Sequence, residues 1–415
     1  MTRRRTIAIA ATILLAAAVA VAALGAIGWP ARAYRNGDFT QYWLQPRALL
    51  DGGDPYDPRY WSAAHAAIGQ LPESAQAVYP PHDAIAFLPL ALLPLPYAAA
   101  AWIVAQLLLV SAALAILAWR LVPPARRAVF LAIGVSFQPV WLLAVGANVT
   151  GFLFAALAAA YLAARGHRLF RAGALLGLLV VKPHPFAIVA IALLIRCTWP
   201  ERRRLALGAL STSGPLVAAA LVLRPTWYAE WLRSALTLGA SSRSNATAWT
   251  LGRVAGLPEW SGPLVAAIAI GGFGLWLVRA RPSLARTMSG AIPISLAVAP
   301  YGWSYDQLQL LIPLAAIVAA AARPARLALV AIIATALPWA LYALAFQRGG
   351  EELSVITPLL VSAIFIGRSD LLRPRCRGER HEPLVDAQAA AVQDVADDHP
   401  DRREPVADRS AHADR

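Results

Sequence analysis

Five short stretches of the chain carry residues whose types and spacing could do chemistry. The first runs Asn36-Gly37-Asp38-Phe39-Thr40-Gln41-Tyr42-Trp43 and continues through Leu50 to Asp51-Gly52-Gly53-Asp54-Pro55-Tyr56-Asp57. If it is helical, Tyr42 lies one turn beyond Asp38 on the same face, and Phe39, Trp43 and Leu50 form an apolar stripe. Two readings fit: an interfacial helix presenting an acid and a phenol to an arriving molecule, or an Asp38 N-cap on an ordinary membrane-surface helix. The second stretch, Tyr79-Pro80-Pro81-His82-Asp83, offers His82 and Asp83 as ligands or as a loop-end cap. The third, Lys182-Pro183-His184, holds the single lysine of a chain that otherwise uses arginine. A compact ammonium there points to a phosphate or carboxylate partner, against the plainer reading of a snorkelling helix-end lysine. The fourth, Ser241 to Thr247 with Arg243, Asn245 and, further on, Arg253, is hydrogen-bonding loop that suits a sugar or simply solvent. In the fifth, Tyr301-Gly302-Trp303-Ser304-Tyr305-Asp306-Gln307, a belt of interfacial aromatics accounts for Trp303 and Tyr305 but not for Asp306.

These stretches must be held by membrane helices. The chain has 415 residues, 59% of them hydrophobic and 14% charged, with a mean hydropathy of +0.55. That composition predicts an all-α polytopic membrane protein. Apolar runs place spans near 6–28, 97–121, 127–145, 147–165, 171–182, 184–196, 204–223, 263–280, 284–300, 305–322, 326–346 and 353–367, a bundle of about 10–12 transmembrane helices. The first run follows Arg3-Arg4-Arg5 but is too long for a signal peptide and lacks a clear cleavage site, which favours a retained span. Arginines cluster in alternate breaks, and the positive-inside rule puts those breaks and both termini in the cytoplasm. The net charge of +14 therefore reports orientation rather than affinity for nucleic acid. The remaining breaks, including a long first loop over 29–83 and a second over 225–262, face outward, and they hold nearly all the unusual polar residues.

Spans 171–182 and 184–196 are shorter than the roughly 20 residues a bilayer requires, so the Pro183/Pro185 turn is expected in an aqueous pocket sunk into the outer leaflet. Residues 84–95 are too short and proline-broken to span, and read as re-entrant or interfacial. Residues 1–367 form the membrane domain; 368–415, polar and acidic in excess, read as a disordered cytoplasmic tail. Cys197 and Cys376 both fall on the cytoplasmic side and make no disulfide framework. No nucleotide-binding motif is present. Asn148-Val149-Thr150 and Asn245-Ala246-Thr247 match the glycosylation acceptor pattern, which is common by chance.

Gly-Asp-Phe-x-x-Tyr from Gly37, Leu-Leu-x-Gly-Gly-Asp-Pro-Tyr to Tyr56, Tyr-Pro-Pro at 79–81 with Leu-Pro-Leu-Ala-Leu-Leu-Pro, Lys182-Pro183, and Ala-Pro-Tyr-x-Trp-x-Tyr-Asp to Asp306 follow one another in an order that resembles glycosyltransferase family 87. The resemblance covers about 30–367 and is strongest over 37–94. It implies a multi-pass C-type glycosyltransferase fold whose long first outer loop carries interfacial helices. Several members use polyprenyl-phosphate-mannose. The acid after the first span, their presumed catalytic base, corresponds to Asp38, and their Lys-Pro to Lys182-Pro183. Two positions depart from the family: Gly146-Ala147 stands where relatives commonly have Gly-Gln, and Tyr305-Asp306 where a histidine often follows the tryptophan.

The resemblance implies a polyprenyl-phosphate-linked sugar donor and a glycan or glycolipid acceptor meeting at the outer face of the plasma membrane. Asp38 would take the acceptor proton in a single inverting displacement. Lys182 first and Arg243 second would stabilise the departing phosphate. Tyr42, Tyr79, His82, Asp83, His184, Asn245, Trp303, Tyr305 and Asp306 would line the substrate site. The scheme needs no metal or other cofactor, and none is expected. The rival class is a lipid or solute transporter, which also shows broken helices and a basic residue at depth; the missing internal repeat and the long outer loop argue against it.

Overall fold

The computed structural model describes residues 38–367, apart from 73, 242–244, 255 and 322. The expected first span at 6–28, Arg243 and the tail from 368 therefore lie outside the described residues. Within them every regular element is helical. The segment before the first long helix contains α1 (Phe39–Leu50), α2 (Pro58–Ala67) and two single turns, α3 (Asp83–Ala86) and α4 (Leu88–Ala91). The bundle follows as α5 (Leu95–Leu121), α6 (Pro124–Ser136), α7 (Gln138–Gly146), α8 (Thr150–Arg165), α9 (Leu169–Gly177), α10 (Ala187–Arg196) and α11 (Trp199–Leu223). After α12 (Trp227–Ser241) and α13 (Ala248–Val254) it resumes with α14 (Ser261–Ala280), α15 (Leu284–Val298), α16 (Leu311–Ala320), α17 (Pro324–Ala334), α18 (Ala336–Arg348) and α19 (Ile356–Ile366).

Four stretches are long and apolar enough to cross a bilayer: α5, α11, α14 and Pro324–Ala345, which joins α17 to α18. The pair α6–α7, bent by 41°, makes a fifth if it is one span. Their outer surfaces suit lipid, since Val222, Ile268 and Val278 are all largely exposed. Eleven of the twelve runs read from hydropathy correspond to these and shorter apolar helices among the described residues, and the run at 6–28 lies outside those residues. Thr150–Arg165, Leu169–Val181, His184–Arg196, Leu284–Val298, Ser304–Ala320 and Glu352–Ile366 are apolar but shorter. Proline explains several of the stops. Pro139 follows the α6–α7 break, Pro183 and Pro185 separate α9 from α10, and Pro300 ends α15, each removing a backbone donor or forcing the preceding residue out of helical geometry.

Two segments differ from expectation. The loop over 225–262 is mainly helical, because Trp227, Tyr228, Trp231 and Leu232 recur at helical spacing, and Trp227 is buried against the first-loop helices. α1 does not lay its stripe on the bilayer. Phe39 and Trp43 pack with Tyr56, Trp61, Leu95 and Ala99, the Trp43 indole donates to the Leu93 carbonyl at 3.0 Å, and only Leu50 of the predicted stripe is exposed. Burial of both aromatic rings fixes α1, and with it Asp38, to the start of α5.

α9 and α11 make the closest helix pair. A side chain on Gly173 would fall on the Leu205 backbone, and one on Gly208 on the Phe170 carbonyl. The Thr212 hydroxyl donates across to Ala174 O at 2.8 Å. Small residues and one hydroxyl bond are the usual means of joining helices where lipid removes the hydrophobic drive. This pair holds the chain that leads, through the 3₁₀ turn Leu178–Val181, to Lys182.

Candidate active site

Asp38 sits at the head of α1, but its side chain makes no capping bond. The carboxylate turns instead across 267 positions of chain, and Tyr305 donates its hydroxyl to Asp38 Oδ2 at 2.7 Å. The N-cap reading of Asp38 and the belt reading of Tyr305 are therefore both replaced by one contact between the head of α1 and the late turn. Tyr79 interacts with the same carboxylate. Burial holds the Asp38 carboxyl above its ordinary range, offset in part by the Lys182 ammonium and the Tyr305 hydroxyl.

Lys182 precedes a proline, and its backbone is accordingly extended, with φ −143° and ψ 77°. The kink sends the ammonium inward to Asp306 Oδ1 at 2.6 Å, and it lies 4.9 Å from the centre of the Tyr305 ring. Lys182 and Asp306 are each 4% exposed. Asp306 is further held by the Thr150 hydroxyl on Oδ1 at 3.4 Å and by the Trp303 N–H on Oδ2 at 3.1 Å. A buried ion pair survives only with such additional hydrogen bonds. Lys182 is consequently no snorkelling helix end.

Tyr301 to Asp306 owes its shape to Pro300, to the 3₁₀ turn Ser304–Leu310, and to Glu351 Oε2, which accepts from Ser304 N at 2.6 Å. Burial raises the Glu351 carboxyl above its usual range. Glu351 and Thr150 are neighbours of the site that the sequence did not single out as site residues. Thr150 belongs to an apparent glycosylation motif, but Asn148 and Thr150 are both buried, and Asn148 Oδ1 accepts from Thr150 N.

The remaining predicted residues divide. Tyr42 and Tyr79 meet ring to ring, with centroids 4.4 Å apart, beside Asp38. Gln45 and Tyr56 hold the Tyr79-Pro80 backbone by hydrogen bonds to Tyr79 O and Pro80 O. His184 stacks on Tyr301, centroids 3.9 Å apart. Asn245 is buried rather than in solvated loop, and its neighbour Ala246 donates to Gly302 O at 2.7 Å, which joins the 241–247 stretch to the late turn. Trp303 contributes a backbone donor while its side chain stays half-buried. His82 and Asp83 stand apart from the Lys182–Asp306 pair; the His82 ring bonds Val180 O and the Tyr228 hydroxyl. No group of three or more metal-ligating side chains exists among the described residues. The arrangement is one carboxylate held by phenols, a buried ammonium close enough to lower that carboxylate's proton affinity, and aromatic walls. It can accept a proton next to a group that gains negative charge.

The sequence profile of Glycosyltransferase family 87 matches residues 77–300, just over half of the chain. The match includes Tyr79, His82, Asp83, Lys182, His184 and Asn245; Asp38, Tyr305 and Asp306 lie beyond it. Among solved structures, ArnT from Cupriavidus metallidurans bound to undecaprenyl phosphate is similar at 15% identity and a TM-score of 0.47, covering 88% of this chain and 78% of that one. No curated protein matches.

Proposed function

This chain belongs to glycosyltransferase family 87, and from that premise and the geometry around Asp38 we propose an inverting transfer of a sugar, mannose in the first instance, from a polyprenyl phosphate to a glycan or lipid-linked acceptor. The observation that carries the reading is the convergence of Asp38, Tyr305, Lys182 and Asp306 from three distant segments. Asp38 takes the proton of the acceptor hydroxyl while that oxygen attacks the anomeric carbon. The bond from that carbon to the phosphate oxygen breaks in the same displacement, and the phosphate leaves with the electron pair. Tyr305 fixes one oxygen of the Asp38 carboxylate, so the base is oriented before substrate arrives. Lys182 supplies positive charge to the leaving phosphate, and Asp306 positions it. Tyr42, Tyr79, His184 and Asn245 line the substrate side. The arginine-rich alternate breaks support a reaction at the outer face of the plasma membrane, with both termini in the cytoplasm.

The test is purified protein in nanodiscs with mannosyl- and glucosyl-polyprenyl phosphates and a panel of mannoside acceptors, without nucleotide. Formation of the glycoside with release of polyprenyl phosphate is the expected result. Movement of labelled substrate into proteoliposomes with no bond made would replace the proposal by a transport function.

A further inference from the structure

Tyr305 and Asp306 carry the two contacts on which the proposed chemistry rests, one to Asp38 and one to Lys182. The residues on either side of them, Ser304 and Gln307, are both fastened to one short segment beyond α18. Ser304 N donates to Glu351 Oε2 at 2.6 Å, and Gln307 Nε2 donates to Ser354 O at 2.8 Å. Ser304, Gln307 and Ser354 are buried, which shields both bonds from competing water.

The sequence of that segment explains how it reaches the turn. α18 ends on Gly349 in the left-handed conformation, with φ 76°, which reverses the chain without the strain a side chain would bring. At Gly350 the Glu352 carboxylate occupies the space a side chain would take, and Glu351 rather than Glu352 meets the turn. Ser354 N donates to Glu351 O at 2.9 Å, which ties the two anchoring residues to each other. Two successive N–H groups of the turn are thus held by two carboxylates, Trp303 N by Asp306 Oδ2 at 3.1 Å and Ser304 N by Glu351 Oε2. The first bond lies within the turn; the second ties the turn to another segment. Gln138 also reaches the Ser304 hydroxyl, but at 3.4 Å that contact is too long to fix a position by itself.

We infer that Glu351 is a positioning residue for the transfer: its bond to Ser304 N, backed by the Gln307–Ser354 bond, holds the Tyr305 hydroxyl on Asp38 and Asp306 on Lys182. The inference rests on the transferase reading and adds to it the device that sets the geometry of the base and of the cation.

The full chain in nanodiscs tests it, with Glu351→Ala, Glu351→Gln and Gln307→Leu as variants. Displacement of the turn disturbs the orientation of the base more than the hold on the donor, so Glu351→Ala should lower kcat roughly ten- to hundredfold with KM little changed. Glu351→Gln keeps an oxygen to accept from Ser304 N and should retain most of the rate. The pH profile reads something that stability does not. The Lys182 ammonium and the Tyr305 and Tyr79 hydroxyls lower the proton affinity of Asp38, and Asp306 raises it. With Tyr305 displaced, the acid limb of kcat/KM should move to higher pH in Glu351→Ala and stay near the wild-type position in Glu351→Gln. Asp306 and Glu352 face Glu351 itself, and loss of its negative charge beside them lowers proton affinity, so an upward shift reports Tyr305. A double-mutant cycle reads the coupling without turnover: Tyr305→Phe should lower the melting temperature by less in the Glu351→Ala background than in wild type.

Wild-type kcat and a wild-type acid limb in folded Glu351→Ala overturn the inference, as does full additivity of the cycle. So does Glu351→Gln that is as slow as Glu351→Ala. Should Glu351→Ala fail to fold, Gln307→Leu cuts the second bond of the same clamp, and wild-type kcat with a wild-type acid limb in it is equally decisive. Wild-type protein that forms no glycoside, while the cycle stays non-additive, would instead remove the transfer proposed above and leave the hold of Glu351 on Tyr305 standing.

Discussion

The α9–α11 pair and the Asp38 chamber are joined through Lys182 and follow opposite rules. Where α9 meets α11, Gly173 and Gly208 let backbones touch, and Thr212 bonds a carbonyl across the gap. Five residues beyond the end of α9, at Lys182, the chain enters a space built from charge, phenols and imidazole. The first region is held by close packing, so its energy is already realised in the folded chain. The second keeps an acid whose proton affinity burial has raised, at a cost in stability that fits the role of base proposed for Asp38. Substitutions in the two regions should therefore separate: in the chamber turnover falls whether or not stability falls with it, and in the helix pair stability falls alone.

The largest effect is expected from Asp38→Asn, which keeps shape and hydrogen-bonding reach but cannot accept a proton. General-base assistance contributes about 10²–10⁴-fold, so product formation should fall by that factor. Stability should hold or rise slightly at neutral pH. A carboxyl whose folded pKa is raised contributes stability below its unfolded pKa and loses that contribution as pH climbs through the folded value; the neutral amide never loses it. Wild-type turnover should fall as pH drops through the raised Asp38 value, so the acid limb should lie above the ordinary carboxylate pKa of about 3.9. A pH–rate profile of kcat/KM measures it, and near-normal turnover by a stable Asp38→Asn protein would pass the role of base to Asp306 or Asp83.

Lys182→Ala comes next, since it strands Asp306 as a buried anion. Breaking such a pair from one side costs about 3–5 kcal/mol. Adding Asp306→Ala should recover much of the melting temperature but not the turnover, because the phosphate still lacks its cation. If the double variant recovers both, Lys182 serves only to neutralise Asp306, and the chamber follows the same structural rule as the helix pair.

How far each region could be read beforehand follows from the kind of signal that marks it. Asp38, Lys182 and Asp306 were legible because charged residues in an apolar chain are conspicuous, and because Lys-Pro and Ala-Pro announce breaks. Their pairing was not legible: Asp38 meets Tyr305 across 267 positions, and no local period encodes that. Glu351 was hidden for the same reason, since its carboxylate acts on a backbone N–H 47 positions away. Helices were legible as apolar runs, but the 3₁₀ turns within those runs, Leu178–Val181 and Ser304–Leu310, were not. The helix of Trp227–Ser241 was masked by two arginines and a glutamate nearby that looked like loop. Gly173 and Gly208 gave no warning, because one of many glycines in a membrane helix does not say which neighbour it will touch.

In the helix pair the ordering of effects continues downward. Gly208→Val puts branched carbons on the Phe170 carbonyl, where backbone rather than a flexible side chain must give way. Overpacking of this kind costs about 1–3 kcal/mol. The expected result is a lower melting temperature with kcat/KM unchanged in the protein that remains folded. A fall in kcat at full stability would mean that the pair tunes the position of Lys182.

The smallest effect belongs to Thr212→Val, which is isosteric and removes only the hydroxyl. That hydroxyl donates to Ala174 O at 2.8 Å on α9 and stands 3.1 Å from Ala209 O on its own helix. The cross-helix bond is the part at stake, because both carbonyls also take part in their helices. Interhelical hydrogen bonds in membrane proteins average about 0.6 kcal/mol by double-mutant cycle, since the unfolded chain in lipid finds other partners. Thr212→Val should therefore lower stability by roughly that amount and leave the rate alone. Thr212→Ala should cost more, because the methyl is lost as well as the hydroxyl. Unfolding in detergent of wild type, Val and Ala variants measures both steps. If Val costs as much as Ala, the hydroxyl rather than the packed volume joins these helices, and the pair would depend on a polar contact as the chamber does.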